Sequence, residues 1–182
     1  MKRLTDILFS GVALIIFGLP CIIIALLLRF KEQHAIFFRQ ERIGKNGRPF
    51  MILKFQTLVN NIPTKTGAVL RKSGLDELPQ FINVLKGDMS IVGPRALTQH
   101  DINRLNWNDA HHSCRWQLKP GITGAAQLYG GQHRKTSWFW DCRYIKRQSV
   151  LLDTVIIGLS FLMNVFGKTN VRRVVFRKKH LK

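Results

Sequence analysis

Two adjacent carboxylates, Asp76 and Glu77, stand at the head of a predicted helix in the run Arg71-Lys-Ser-Gly-Leu-Asp-Glu-Leu-Pro-Gln80. A second loop, Gly87-Asp-Met-Ser-Ile-Val-Gly-Pro-Arg95, follows that helix. An acid pair, a helix N-terminus and two arginines, Arg71 and Arg95, therefore fall within one short stretch. The combination suits chemistry on a phosphate. Helix N-termini and guanidinium groups hold the anion, and a carboxylate remains to react, to bind a metal or to orient its neighbour. The bland alternative is an acidic first turn that only complements the helix dipole.

The elements that must position these groups can be read from spacing. Leu78, Phe81, Ile82 and Leu85 recur at three- and four-residue intervals, with Val84 beside them, which predicts a helix with one apolar face. Ser73, three residues before Asp76, reads as a variant capping box, Pro79 falls in a first turn whose N–H groups have no partner, and Gly87 reads as the C-cap. Adjacent helical residues point about 100° apart, so one carboxylate can face a reacting atom while the other holds a metal. Upstream, Ile36 to Phe38 and Arg48 to Phe55 flank Lys45-Asn46-Gly47, a hairpin signal in which Pro49 favours an edge strand. Val59 to Lys72 reads as a loop and Leu97 to Leu118 as one polar, moderately amphipathic helix. Lys119-Pro-Gly-Ile-Thr-Gly124 reads as a turn whose backbone is free to approach a ligand. Neither an internal repeat nor a low-complexity linker is visible.

Composition bounds the partners. The chain has 182 residues, and 29 Lys+Arg against 10 Asp+Glu give a formal charge of +19, which calls for nucleic acid, anionic lipid or a phosphorylated substrate. Cys21, Cys114 and Cys142 have neither metal-ligand spacing nor a disulfide framework, so reduced thiols are expected. His111-His112 likewise lacks ligand spacing.

Ile7 to Leu28 carries no charge and is long enough for a bilayer core of ~30 Å. A simple span is disfavoured by Pro20, expected to break the segment into two helical halves. It is also disfavoured by cations at both ends, Lys2 and Arg3 against Arg29 and Lys31, because positive flanks stay on the cytoplasmic side. A re-entrant helix–break–helix satisfies both facts, with a kinked span as the alternative. Ser137 to Arg147 mixes Trp138, Phe139, Trp140 and Tyr144 with Arg143, Lys146 and Arg147, as expected at a headgroup boundary. Val150 to Phe166 is strongly apolar, yet Asp153, Ser160, Asn164 and Gly167 fall on one narrow face at helical spacing, which suits an interfacial helix or one buried against the domain. Past Gly167 the tail holds seven Lys/Arg and no acid, suited to anionic membrane lipids or to solvated disorder. The fold class expected is α+β, mainly α, with amphipathic interfacial helices and a small β-hairpin.

These residues resemble the bacterial sugar transferase family, the monotopic polyprenyl-phosphate phosphoglycosyl transferases. The likeness runs through Lys2-Arg-Leu-Thr-Asp6, Phe38-Arg-Gln-Glu-Arg-Ile-Gly44, Lys54-Phe55, Leu75-Asp-Glu-Leu-Pro-Gln80, Asn83 to Arg95, Lys119 to Gly124 and Asp153. The resemblance implies a minimal catalytic form at the bacterial inner membrane, facing the cytosol. It divides the chain into a re-entrant helix (1–31), a catalytic domain with interfacial helices (32–167) and a basic tail (168–182). It implies transfer of a phospho-sugar from a UDP-sugar to undecaprenyl phosphate with release of UMP, an initiating step of surface-glycan synthesis. By the same resemblance Asp76 is the nucleophile that forms an aspartyl phospho-sugar, and Glu77 assists, both beside Mg²⁺. Lys54, Arg71, Arg95, Lys119, Pro120, Gly121 and Gln127 are the implied phosphate- and substrate-binding residues. A homodimer is left open.

The chain departs from the family pattern at Gln56, where arginine is usual, and at Gly74, Ala96, Ala125 and Gly131; its Thr57–Lys72 loop is shorter. Three other readings compete. A basic membrane-tethered nucleic-acid binder explains the charge but not the acid pair, and no nucleic-acid fold motif appears. A metal-dependent phosphodiesterase would use water as acceptor, and a scaffold for glycan assembly would need no chemistry at all.

Overall fold

The structure, a computed structural model, describes residues 2–130, 134–167 and 170–171. Helix α1 spans Lys2–Leu26 and runs on as a π-helical turn, Leu27–Lys31. By length and composition this stretch could cross a membrane. Pro20 lies inside α1 and does not divide it. The expected break is thus corrected: the loss of one backbone bond at proline is absorbed by the continuous turns on either side. One stripe of α1 meets the body along its whole length. Asp6 accepts bonds from the Ser90 hydroxyl at 2.9 Å and the Ile91 N–H at 3.1 Å, and Arg3 donates to the Val84 and Leu85 carbonyls. At the other end Ile24 and Leu28 are buried with Phe55, Leu70 and Leu78, each such burial stabilising by roughly 1.5–3 kcal/mol. The opposite face is bare: Ile15 is 82% exposed, and Leu8, Val12, Ile16 and Leu19 join it.

Strands β1 (Phe37–Ile43) and β2 (Pro49–Phe55) form the expected antiparallel hairpin, paired from Phe37↔Phe55 to Ile43↔Pro49. Asn46 and Gly47 take positive φ at its tip, 57° and 72°, the conformations for which that dipeptide is suited. A second, two-residue hairpin, β3 (Leu58–Val59) and β4 (Ile62–Pro63), leads into α2, Lys65–Ser73. The segment expected to be loop is therefore largely ordered. Thr64 caps α2 by accepting from the Gly67 N–H, and Gly74 closes it with φ 74°.

Asp76 and Glu77 occupy a 3-10 turn, Leu75–Glu77, ahead of α3 (Gln80–Lys86), instead of its first α-turn. Ser73 is not a cap; its hydroxyl donates back to Val69 and Leu70 within α2. Gly87 ends α3 as expected. The short strands β5 (Ser90–Val92) and β6 (Gly121–Thr123) pair in parallel. A Cβ on Gly121 would lie 2.1 Å from the Gly93 nitrogen, so only glycine allows the Gly-Pro-Arg and Pro-Gly loops to meet. The single helix expected over Leu97–Leu118 is two pieces, α4 (Gln99–Leu105) and a 3-10 stretch, Ala110–Gln117. Asn106 in the left-handed region and a new N-cap at Asp109 separate them.

Helices α5 (Arg134–Arg147) and α6 (Val150–Phe166) complete the body. Of the α5 aromatics only Phe139 is well exposed; Tyr144 is buried, Trp140 stacks on Tyr129, and Trp138 packs on Trp107 and His112. The polar face of α6 turns inward. Asp153 pairs with Lys2 and accepts from the Tyr144 hydroxyl at 2.7 Å, and Ser160 bonds Thr123. Leu151, Phe161, Val165 and Phe166 point away from the body, 57–76% exposed. The main core gathers Ile52, Val84, Val92, Ile156 and Met163 from β2, α3, β5 and α6, with Met89 from the turn between α3 and β5. All but two residues of the basic tail and the position of Gly131 lie outside the described residues.

Candidate active site

Asp76 and Glu77 open onto a cavity of about 880 Å³. Its walls come from β1 (Phe38, Gln40, Arg42), β2 (Lys54, Phe55), the second hairpin (Leu58, Asn60, Asn61), α2 (Arg71, Lys72), the Gly-Pro-Arg loop (Arg95) and the end of α6 (Met163, Asn164). The cations Arg42, Lys54, Arg71, Lys72 and Arg95 outnumber the two carboxylates. Such a concave cationic wall draws phosphorylated ligands.

The carboxylates differ. Glu77 Oε1 is 2.6 Å from Lys54 Nζ, both side chains partly exposed. Asp76 is 8% exposed and has no ion pair among the described residues. Burial, then the neighbouring Glu77 charge, pushes its carboxyl above the usual range; Lys54 and Arg71 oppose the shift. Arg71 reaches the cavity from the last turn of α2, where its Nη1 lies 3.5 Å from the buried Thr57 hydroxyl. Arg95 is fixed by its backbone. The Gly121 N–H donates to the Pro94 carbonyl at 2.8 Å, and Arg115 donates to the Arg95 carbonyl, leaving the Arg95 side chain exposed.

Of the residues implied by resemblance, Asp76, Glu77, Lys54, Arg71 and Arg95 converge. The others do not. Pro120 and Gly121 are buried in the β5–β6 junction, supporting Arg95 from behind. Lys119 faces the C-terminal end of α3 near Arg3, Asp6 and Asp88, where burial and Arg3 lower its pKa. Gln127 lines a smaller neighbouring cavity. Pro20 lies far along the sequence in α1 and lines neither cavity.

Sequence reasoning missed Gln40, Arg42, Asn60, Asn61, Lys72 and Asn164. Strand alternation could have found the first pair, since Phe38, Gln40 and Arg42 share one face of β1. Arg42 is held at the wall by Asp101 at 3.3 Å, and burial lowers its pKa. Gln56, where the family carries arginine, lines the cavity with its amide turned to the Leu58 carbonyl. Ala96 and Ala125 are packed in the core.

Among the described residues no group of three or more His, Cys, Asp or Glu side chains is arranged to hold a metal ion. Two adjacent carboxylates at a cavity wall nevertheless fit Mg²⁺, which is held by one or two carboxylates with the remaining positions left to water and substrate phosphate.

The bacterial sugar transferase family matches residues 1–167. The chain is similar to the UDP-N-acetylgalactosamine-undecaprenyl-phosphate N-acetylgalactosaminephosphotransferase of Aeromonas hydrophila, 33% identical over 176 residues, 86% of this chain and 42% of that protein. It is also similar to the UDP-glucose:undecaprenyl-phosphate glucose-1-phosphate transferase of Klebsiella pneumoniae, 33% identical over 195 residues, 92% of this chain and 41% of that one. An uncharacterized sugar transferase of Bacillus subtilis (strain 168), EpsL, is 37% identical over 181 residues, 88% of this chain and 85% of its own length. The chain thus spans about two fifths of the first two relatives and most of the third.

Proposed function

We propose that this chain, which belongs to the bacterial sugar transferase family, moves a sugar phosphate from a UDP-sugar to undecaprenyl phosphate and releases UMP. The observation that carries the reading is Asp76, a carboxylate without an ion pair among the described residues, next to a Glu77 already held by Lys54 in a cation-lined cavity.

In this reading an Asp76 oxygen attacks the phosphorus that bears the sugar. The bond from that phosphorus to the UMP oxygen breaks, and UMP departs. An oxygen of undecaprenyl phosphate then attacks the same phosphorus, freeing Asp76 and giving the lipid-diphosphate sugar. Splitting one displacement into two is the advantage of a side-chain nucleophile, and it gives ping-pong kinetics. Arg71 and Arg95 neutralise phosphate oxygens so that an anionic nucleophile can approach. Lys54 holds Glu77 and lowers the cost of ionising Asp76. Mg²⁺, bound by Asp76 and Glu77, would supply further charge neutralisation at the phosphates.

The membrane half of the proposal is a monotopic enzyme on the cytosolic face of the inner membrane, beginning surface-glycan assembly. Both ends of α1 attach to the same body, by Arg3 and Asp6 at one end and Ile24 and Leu28 at the other. That supports a helix lying along the domain over one that crosses away from it. The apolar outer faces of α1 and α6 suit contact with lipid.

The test is to incubate membranes containing the protein with undecaprenyl phosphate, Mg²⁺ and a panel of UDP-sugars, and to measure UMP and lipid-linked sugar. At least one donor should give both products, and Asp76→Asn neither. Sugar phosphate released to water without lipid product would make the protein a hydrolase instead.

A further inference from the structure

Beside the Asp76 cavity lies a smaller one of about 180 Å³. Arg95 lines both. On the reading that the donor is a UDP-sugar, we propose that this smaller cavity receives the donor's sugar ring and that Gln127 in its wall sets which sugar is accepted.

Size is the first argument. Pockets for drug-sized ligands begin near ~300 Å³, so 180 Å³ takes a single ring and not a nucleoside. Position is the second. The sugar is one oxygen from the phosphorus under attack, so its subsite must adjoin the phosphate site, and the shared Arg95 makes it do so.

The third argument is chemical. The cavity is polar, and apart from Arg95, which it shares with the phosphate site, its charges are paired. Arg115 donates through Nε to Asp141 at 2.9 Å in a pair only 2–3% exposed, and Arg104 lies 3.3 Å from Asp101. Paired charges offer fixed donors and acceptors to hydroxyl groups without favouring an anion. A nucleobase would want an aromatic face, and the tryptophan here has none to spare. Trp107 is stacked on His112 at 5.5 Å and covered by the Arg115 guanidinium at 5.3 Å.

The fourth argument is an unfilled need. Gln127 and Trp107 both line this cavity, and Gln127 Oε1 and Trp107 Nε1 are buried with no hydrogen-bond partner among the described residues. Buried polar atoms rarely stay unpaired. Two residues of one lining thus hold an unpaired acceptor and an unpaired donor, which a ligand whose hydroxyls both give and take hydrogen bonds would satisfy once the side chains turn toward it.

The experiment measures binding of UDP, UDP-glucose and UDP-N-acetylgalactosamine to the purified full chain in lipid nanodiscs by calorimetry, for wild type, Gln127→Ala and Arg104→Ala. Wild type should bind at least one UDP-sugar about tenfold or more tighter than UDP. Gln127→Ala should remove most of that advantage or change which sugar is preferred, and Arg104→Ala should reduce it, with UDP affinity held within about twofold as the control for folding. Loss of UDP and UDP-sugar affinity in parallel, or no change in either variant, would overturn the subsite. A wild type that turns over a UDP-sugar yet binds it no tighter than UDP would also overturn it while leaving the transfer reaction standing. Preference for a sugar without any lipid-linked product would do the reverse.

Discussion

Lys54 Nζ lies 2.6 Å from Glu77 Oε1, and the residue before Glu77, Asp76, keeps a carboxylate with no ion pair among the described residues. The lysine also acts on Asp76: burial and then the Glu77 charge raise the Asp76 pKa, and the Lys54 charge opposes that shift. A carboxylate that must be ionised to attack then loses rate on the acid side at a pH above the ordinary ~4. Removing Lys54 takes away a cation that favours the anion, so the acid limb of the rate profile moves to higher pH. UMP release by Lys54→Ala across roughly pH 5 to 9 checks this; an unmoved limb contradicts it.

The same shift has a sign for stability. A carboxyl whose folded pKa is raised stabilises the fold in acid and loses that contribution as pH rises through the folded value. Asp76→Asn is therefore expected to melt at a higher temperature than wild type at neutral pH, with the difference shrinking in acid. Thermal melts at a neutral and an acidic pH measure it.

Arg115 and Asp141 are 2–3% exposed, and Arg115 also holds the Arg95 carbonyl. Removing one partner strands a buried charge, which costs about 3–5 kcal/mol. Arg115→Leu should lower the melting midpoint by on the order of 10 °C. The double variant Arg115→Leu/Asp141→Leu should recover part of that, because neither charge remains.

Topology is decided by labelling. Single cysteines at Leu4 and Lys31, in a background without Cys21, Cys114 and Cys142, should react with an impermeant thiol reagent from the same side, the one exposed in inside-out vesicles. Reaction from opposite sides would make α1 a span.

Much of the site was legible because it is local. Asp76, Glu77 and Arg71 sit within seven positions of one another, and the Asn46-Gly47 turn and Gly87 cap announce themselves through backbone conformations few other residues take. What was not legible depended on partners distant in sequence. Helix α2 is short, carries an interior glycine and presents a weak apolar face, so Lys65–Ser73 passed for loop until its Thr64 cap and its packing through Leu70 were seen. The β5–β6 pair is three residues a side, too short for alternation to register, and only that pairing turns Pro120 and Gly121 into supports of Arg95. The polar stripe of α6 was visible by spacing; that it faces Lys2, Thr123 and Tyr144 inside the body required the tertiary structure.

The central claim is a bond between Asp76 and the donor's phosphorus. Purified protein given a UDP-sugar and Mg²⁺ but no lipid acceptor should release UMP once per chain. The peptide containing Asp76 should gain the mass of a sugar phosphate, lost again when undecaprenyl phosphate is added. Sustained turnover with acceptor but no such adduct, or undiminished turnover in Asp76→Asn, would contradict the account.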